Sequence, residues 1–125
     1  MLRPEIEYSN NTNNFRINWY DENNEVTVTY AFLIQNEVDE NTYEMDGVIR
    51  KNKGEKVLPQ IVESLESLLT EVANEKGINL KHVETTRTGT ELTEYLKKNY
   101  VKNGYEYKGV EDGLIILEKK YFSIN

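Results

Sequence analysis

The first half of the chain carries apolar side chains at every second position, which is typical of strands with one buried face. Alternating segments occupy residues 4–8, 15–19 and 26–34, and residues 42–50 form a fourth. Asparagine-rich stretches separate several of them, and asparagine favours turns because its side chain bonds its own backbone. The pattern therefore predicts four strands connected by turns.

The second half of the chain begins with a helical period. Apolar residues from Leu58 to Ala73 recur three or four positions apart, which predicts a helix of about five turns with one apolar stripe. Pro59 suits the first helical position, where its missing N–H costs nothing. Gly77 suits the left-handed residue that follows a last turn. The helix is therefore predicted to be bounded at both ends.

Beyond this helix the pattern predicts a strand, a second helix and two final strands joined by a turn at Glu111-Asp112-Gly113. The predicted order is β-β-β-β-α-β-α-β-β, in a single domain over residues 1–125. A single β-α-β crossover after four strands predicts an α+β fold with two main helices. Its sheet is expected to be mixed and mostly antiparallel, with the fourth and fifth strands parallel.

Composition narrows the classes of function. The 125 residues carry a net charge of −7, which argues against a nucleic-acid partner because phosphate backbones attract basic surfaces. With no cysteine and one histidine, thiolate metal sites, cysteine nucleophiles and most serine–histidine hydrolase schemes are excluded, and no metal site is expected. The sequence shows neither a signal-peptide pattern nor a membrane span, so we expect a cytoplasmic protein without a membrane partner.

The predicted order of elements and two local patterns resemble the GCN5-related N-acetyltransferase (GNAT) fold family over residues 14–121. One pattern is a tyrosine, three further residues and Gly-Tyr, here from Tyr100 to Tyr105. The other is the basic loop between the fourth strand and the long helix. In the family, this loop and the helix N-terminus hold the pyrophosphate of acetyl-CoA, because unpaired N–H groups and the helix dipole attract anions.

The loop is a degenerate version of the family motif. When the long helix is aligned by its apolar positions, Lys53 takes the place of the family's arginine and Gly54 that of a usual glycine. Lys56 and Leu58 then stand at two positions where the family has small residues. A register that begins at Lys51 also keeps Gly54 but shifts the helix by two residues. The chain further lacks the family's pair of helices between the first two strands, which shape the acceptor site.

The resemblance implies acetyl-CoA as the cofactor and assigns roles to individual residues. Tyr100 would be the general acid that protonates the departing thiolate, and Glu44 or Asp46 on the fourth strand would be the general base. The residues implied in cofactor binding are Val48, Arg50, Lys53, Gly54, Glu55 and Lys56. His82 has no second ligand type near it in the sequence, so we expect a packed or surface side chain rather than a metal ligand.

Two functional hypotheses remain open at this point. In the first, the protein is an acyltransferase whose partners are a CoA thioester and an unidentified amine. In the second, it is an inactive GNAT-fold binding module, such as an acidic phage- or host-encoded inhibitor or adaptor that contacts another protein. The sequence leaves the oligomeric state open, a homodimer included. The pairing of the sheet discriminates between the two functional hypotheses. If the fourth and fifth strands stayed paired beside Val48, there would be no groove for a cofactor.

Overall fold

The computed structural model describes residues 1–10, 13–52, 57–89 and 91–124, apart from the side chains of Glu91 and Leu92. Over these residues the chain forms seven strands and two helices in the predicted order. They are β1 (Arg3–Tyr8), β2 (Asn14–Tyr20), β3 (Val26–Asp39), β4 (Thr42–Lys51), α1 (Leu58–Lys76), β5 (Asn79–Arg87), α2 (Glu91–Lys102), β6 (Glu106–Glu111) and β7 (Leu114–Tyr121).

The strands form one sheet in the order β1-β2-β3-β4-β5-β7-β6. Neighbouring strands are antiparallel except β4 and β5, which are parallel and joined by α1. The predicted mixed, mostly antiparallel sheet with one β-α-β crossover is confirmed. The parallel pair follows from the connection, because a helical crossover brings the chain back to the end of the sheet from which β4 started.

One face of the sheet carries the core. Alternate residues of neighbouring strands lie side by side on this face, among them Ile17 opposite Tyr30 and Met45 opposite Ile34. The two helices contact each other, and both contact β5 and β7. All eight residues of the predicted apolar stripe of α1 are buried: Leu58, Ile61, Val62, Leu65, Leu68, Leu69, Val72 and Ala73. Burying this stripe is what fixes α1 against the sheet.

The ends of α1 follow the predicted signals. Pro59 lies in the first turn, where the missing N–H removes no intrahelical bond. Gly77 adopts the left-handed conformation with φ 66°, and the N–H of Ile78 bonds the carbonyl of Ala73. Among the described residues, no helix is both long enough and apolar enough to cross a bilayer.

The opposite face of the sheet carries no helix among the residues that the structure describes. Strands β1 and β2 are joined by the short connection of residues 9–13, which has no room for a pair of helices. Arg16, Ala31 and Val48 are exposed on this open face. The lack of helices between the first two strands, which the sequence indicates, therefore leaves one side of the central strands open to solvent.

Candidate functional site

Strands β4 and β5 separate halfway along their length. Their parallel pairing begins at Thr42 and Asn79 and ends where Asp46 lies opposite Val83. Beyond that point, none of the described residues of β4 pairs with β5. Strand β4 instead continues beside β3 as far as Lys51, and β5 continues beside β7 as far as Arg87. A V-shaped opening therefore lies between two strands that are each held in place on their outer side.

This opening forms a groove of ≈ 430 Å³ next to both helices. Leu58, the first residue of α1, and Tyr100 of α2 line it together with residues of β4 and β5. Among the described residues, its charged lining residues are Lys51 and Glu84. The described lining is Gly47, Val48, Ile49, Lys51, Leu58, Glu84, Thr85, Thr86, Leu96, Tyr100 and Leu117. Apolar walls with a few convergent polar groups are typical of a small-molecule site.

Gly47 occupies the position of β4 where the opening begins. A Cβ atom built on this residue would lie 2.4 Å from Cε1 of Tyr30 and 2.8 Å from Cε1 of Phe32. Those two rings are buried and stack with their centroids 4.3 Å apart. A glycine is required here because the two rings of β3 fill the space that a side chain would need.

Tyr100, the predicted general acid, lies in the wall of the groove. Its side chain is buried, and its hydroxyl oxygen lies 2.9 Å from that of Tyr30. Burial raises the pKa of Tyr100 well above its usual range, and the nearby Glu84 carboxylate raises it further. The phenol therefore keeps its proton more tightly than a free tyrosine does, and its position in the groove wall, rather than its acidity, is what suits it to a proton donor's role.

His82 is fully buried beneath the groove and joins a hydrogen-bonded network. Its Nδ1 lies 2.5 Å from the hydroxyl of Tyr105, whose oxygen is 2.9 Å from that of Tyr121. Its Nε2 lies 3.2 Å from Oε2 of Glu84 and 3.3 Å from the hydroxyl of Tyr30. The sequence predicts that His82 is either packed or on the surface. In the structure it is packed, and both ring nitrogens have polar partners.

The N-terminus of α1 opens beside the groove. Val57 precedes the helix and makes no side-chain capping bond, and the first turn carries no acidic residue. The first intrahelical bond runs from the N–H of Ile61 to the carbonyl of Val57. The N–H groups that precede it are without intrahelical partners, which is the arrangement that favours an anion. The predicted loop residues Lys53, Gly54, Glu55 and Lys56 lie outside the residues that the structure describes.

The other predicted residues are divided between the groove and the open face. Val48 lines the groove and is 70% exposed. Asp46 and Val48 also line a depression of ≈ 650 Å³ on the open face, where the Asp46 carboxylate accepts a bond from Gln35. Arg50 lines a second depression on that face. Glu44 alternates with the buried Met45 in the part of β4 that is still paired with β5.

Sequence reasoning missed Glu84 and Gly47 and left His82 without a role. A signal for two of these residues was present, because Leu80, His82 and Glu84 alternate along one strand and therefore share a face. The alternation alone does not identify a site, because only the fold shows that Glu84, on the same face as His82, lines the groove.

No family model and no curated protein sequence matches the chain. Solved structures do match. The GNAT domain of S. lividans PAT aligns over 90% of this chain and 64% of its own, with a TM-score of 0.60 and 17% identity. The chain has the GNAT fold. Because the alignment covers 64% of the S. lividans domain, this chain spans less than two thirds of the length of that structure.

Two further structures with the GNAT fold are matched over almost their whole length. The N-terminal domain of a ribosomal-protein-alanine acetyltransferase from Clostridium acetobutylicum aligns over 97% of this chain and 95% of its own, with a TM-score of 0.61 and 14% identity. A Bacillus subtilis acetyltransferase in complex with CoA aligns over 99% of this chain and 100% of its own, with a TM-score of 0.60 and 13% identity. At these identities the likeness establishes the fold.

Proposed function

We propose that this protein is an acyltransferase that moves an acetyl group from acetyl-CoA to an amine. The observation that carries the proposal is the separation of β4 and β5 beside Val48, with Tyr100 in the wall of the resulting groove. The match to an acetyltransferase with the same fold in complex with CoA supports it. A sheet that stayed paired at this point would have left no place for a thioester.

The groove offers suitable contacts to each part of acetyl-CoA. Strand β4 from Gly47 to Lys51 has no β5 partner, so its backbone can bond the amides of the pantetheine arm as an added strand would. Lys51 and the N–H groups at the start of α1 that have no intrahelical partner suit the pyrophosphate. We propose that Lys53, Gly54, Glu55 and Lys56 complete this anion site, with lysines replacing some backbone donors of the family motif.

The proposed chemistry is direct attack of an amine on the thioester. The nitrogen forms a bond to the carbonyl carbon, the carbon–sulfur bond breaks, and sulfur leaves as a thiolate. In this proposal Tyr100 donates its proton to that thiolate, which is supported by the position of Tyr100 in the groove wall and by the hydrogen bond that holds its hydroxyl beside that of Tyr30.

The open face gives the amine a route to the thioester from the other side of the sheet. Val48 belongs both to the groove and to the larger depression on the open face. Glu7, Arg16 and Asp46 line that depression. Arg16 is paired with Glu7, so Asp46 is the carboxylate of this lining that favours a cationic group. Of the two fourth-strand candidates for the general base, Asp46 lines this route, and Glu44 lies farther along the paired part of β4.

Cofactor binding can be tested by calorimetric titration with acetyl-CoA at moderate and high salt. We expect binding that weakens with salt, and a loss of about tenfold for each lysine bond removed in Lys51→Ala or in the Lys53/Lys56 double alanine variant. Lys98→Ala, an exposed substitution on α2, should bind like the wild type. No heat at millimolar acetyl-CoA would overturn the proposal.

Transfer can be tested by following the release of free CoA thiol in the presence of a panel of primary amines. Tyr100→Phe should bind acetyl-CoA normally and lower kcat by about 100-fold, the usual contribution of a general acid. Binding without thiol release for any amine would refute the enzymatic part of the proposal while leaving cofactor binding intact.

A further inference from the structure

We propose that Glu84 is the group that accepts the proton of the amine, and that the buried His82 is its positioning residue. This inference rests on the proposed acyl transfer. It assigns the proton acceptor to β5 rather than to Glu44 or Asp46 on β4. An amine that arrives over the open face meets the opening between the strands at Val48, and Glu84 lines the groove on the other side of that opening. The two residues lie two positions apart on one strand, so both side chains point to the same face of the sheet.

Among the residues that the structure describes, Glu84 is the carboxylate that lines the groove. Its side chain is 12% exposed, and it shares the groove wall with Tyr100 and Lys51. The Glu84 Oε2 atom is held 3.2 Å from Nε2 of His82. A carboxylate anchored in a mostly buried wall keeps a fixed position relative to a reacting group, which is what a proton acceptor requires.

The partners of His82 are consistent with a single arrangement of its proton. An ionised carboxylate only accepts hydrogen bonds, so Nε2 must carry the hydrogen that is donated to Glu84. Nδ1 is then an acceptor, and the hydroxyl of Tyr105 donates to it across 2.5 Å. Tyr121 in turn donates to the oxygen of Tyr105. The two tyrosines thus hold His82 in the tautomer that bonds Glu84.

The same histidine also reaches the proposed proton donor. The hydroxyl of Tyr30 lies 3.3 Å from Nε2 of His82 and 2.9 Å from the hydroxyl of Tyr100. Glu84 and Tyr100 are therefore attached to one buried unit through His82 and Tyr30. We infer that this unit fixes the distance between the group that accepts a proton and the group that supplies one.

The protons balance over the reaction. Glu84 takes one proton of the ammonium group and later releases it to solvent, and the neutral amine attacks the carbonyl carbon. The carbon–nitrogen bond forms as the carbon–sulfur bond breaks, and sulfur receives the proton of Tyr100. The nitrogen loses its second proton to solvent as the amide forms, and the Tyr100 phenolate takes a proton back from solvent. The net release over the cycle is therefore the one proton that Glu84 passes on.

The single histidine makes the positioning role directly measurable, because its ¹⁵N signals in an NMR spectrum belong to one residue. We expect the tautomer with hydrogen on Nε2 at pH 8, and a shift of the Nε2 signal when acetyl-CoA is added. The opposite tautomer, or binding of acetyl-CoA by calorimetry with an unchanged histidine spectrum, would overturn the inference without touching the proposed function.

Kinetics test the proton acceptor with the amine found by the thiol-release assay. Glu84→Gln should lower kcat by about 100-fold with acetyl-CoA affinity within about twofold of wild type, and should flatten the rise of kcat with pH. Glu63→Gln, the same change on the exposed face of α1, should behave as wild type. A larger loss in Glu44→Gln or Asp46→Asn than in Glu84→Gln would overturn the assignment.

The positioning role has its own kinetic signature. Tyr105→Phe removes the donor to Nδ1 and leaves the ring in place, so we expect kcat to fall by about tenfold and its pH profile to shift, with acetyl-CoA affinity unchanged. The charged and titratable groups that the structure places around Glu84 are Lys51, His82, Tyr30, Tyr100 and Tyr105. An unshifted profile in Tyr105→Phe would count against the positioning role.

Discussion

Gly47→Ala tests whether the close approach of β4 to two aromatic rings shapes the start of the groove. The added Cβ would meet Cε1 of Tyr30 at 2.4 Å and Cε1 of Phe32 at 2.8 Å. Carbon atoms pack at about 3.5 Å or more, so the Tyr30 ring must move by about 1 Å. That ring is fully buried and its hydroxyl is hydrogen-bonded to Tyr100, so it has little freedom to move.

The expected cost follows from two opposing effects. Overpacking a core costs about 1–3 kcal/mol, and replacing glycine in a strand recovers about 0.5–1 kcal/mol by restricting the unfolded chain. Because the Tyr30 ring has little freedom to move, we take the upper part of the overpacking range, about 2–3 kcal/mol, and expect a net loss of about 1–2 kcal/mol in the free energy of unfolding. For a chain of this length, that corresponds to a decrease of about 4–8 °C in Tm.

Urea denaturation of single and double variants distinguishes this explanation from a general backbone effect. Phe32→Leu should relieve part of the crowding, so Gly47→Ala and Phe32→Leu should be coupled by at least about 0.5 kcal/mol. Gly77→Ala serves as the control, because it strains a left-handed residue with no atom near its Cβ and should be additive with Phe32→Leu. A loss below about 0.5 kcal/mol for Gly47→Ala, or additivity with Phe32→Leu, would refute the reasoning.

Three further predictions concern polar groups of the sheet. Tyr30→Phe leaves the hydroxyl of Tyr100 without this buried partner, so urea denaturation should show a loss of about 1–2 kcal/mol. Thr27→Val removes a buried hydroxyl that has no partner among the described residues, and should raise the free energy of unfolding by about 1 kcal/mol; a loss would contradict this. Hydrogen bonding from Arg16 lowers the pKa of Glu7 below 4.5, so the stability from this pair is present above pH 4.5 and lost as pH falls through the lowered pKa. NMR titration of Glu7 in Arg16→Gln should show the pKa return towards 4.5.

The order and type of the elements could be predicted from the sequence because they depend on local periodicity. The stripe from Leu58 to Ala73 defines α1, and the alternation along β2 and β3 defines which residues face the core. The parallel pair β4 and β5 followed from the connection between them. These are short-range or topological properties, which a single sequence records well.

The site was less predictable because it depends on where two strands stop pairing. Glu44 and Asp46 on β4 remain predicted candidates for the base and lie on the open face, and Glu84, which the sequence pattern did not single out, lines the groove from β5. Gly47 reads as an ordinary strand glycine until Tyr30 and Phe32 are packed beneath it. Such a feature arises from contacts between distant segments, and periodicity does not encode it.

The open face of the sheet bears on the size of the acceptor. No described helix covers the face of the sheet that carries this depression, so a substrate would not have to pass through a channel formed by the helices. If acyl transfer takes place here, an amine carried on a bulky body can approach along the normal to the sheet. Discrimination among amines would then depend on the charges of Glu7, Arg16 and Asp46 more than on the dimensions of an enclosing cavity.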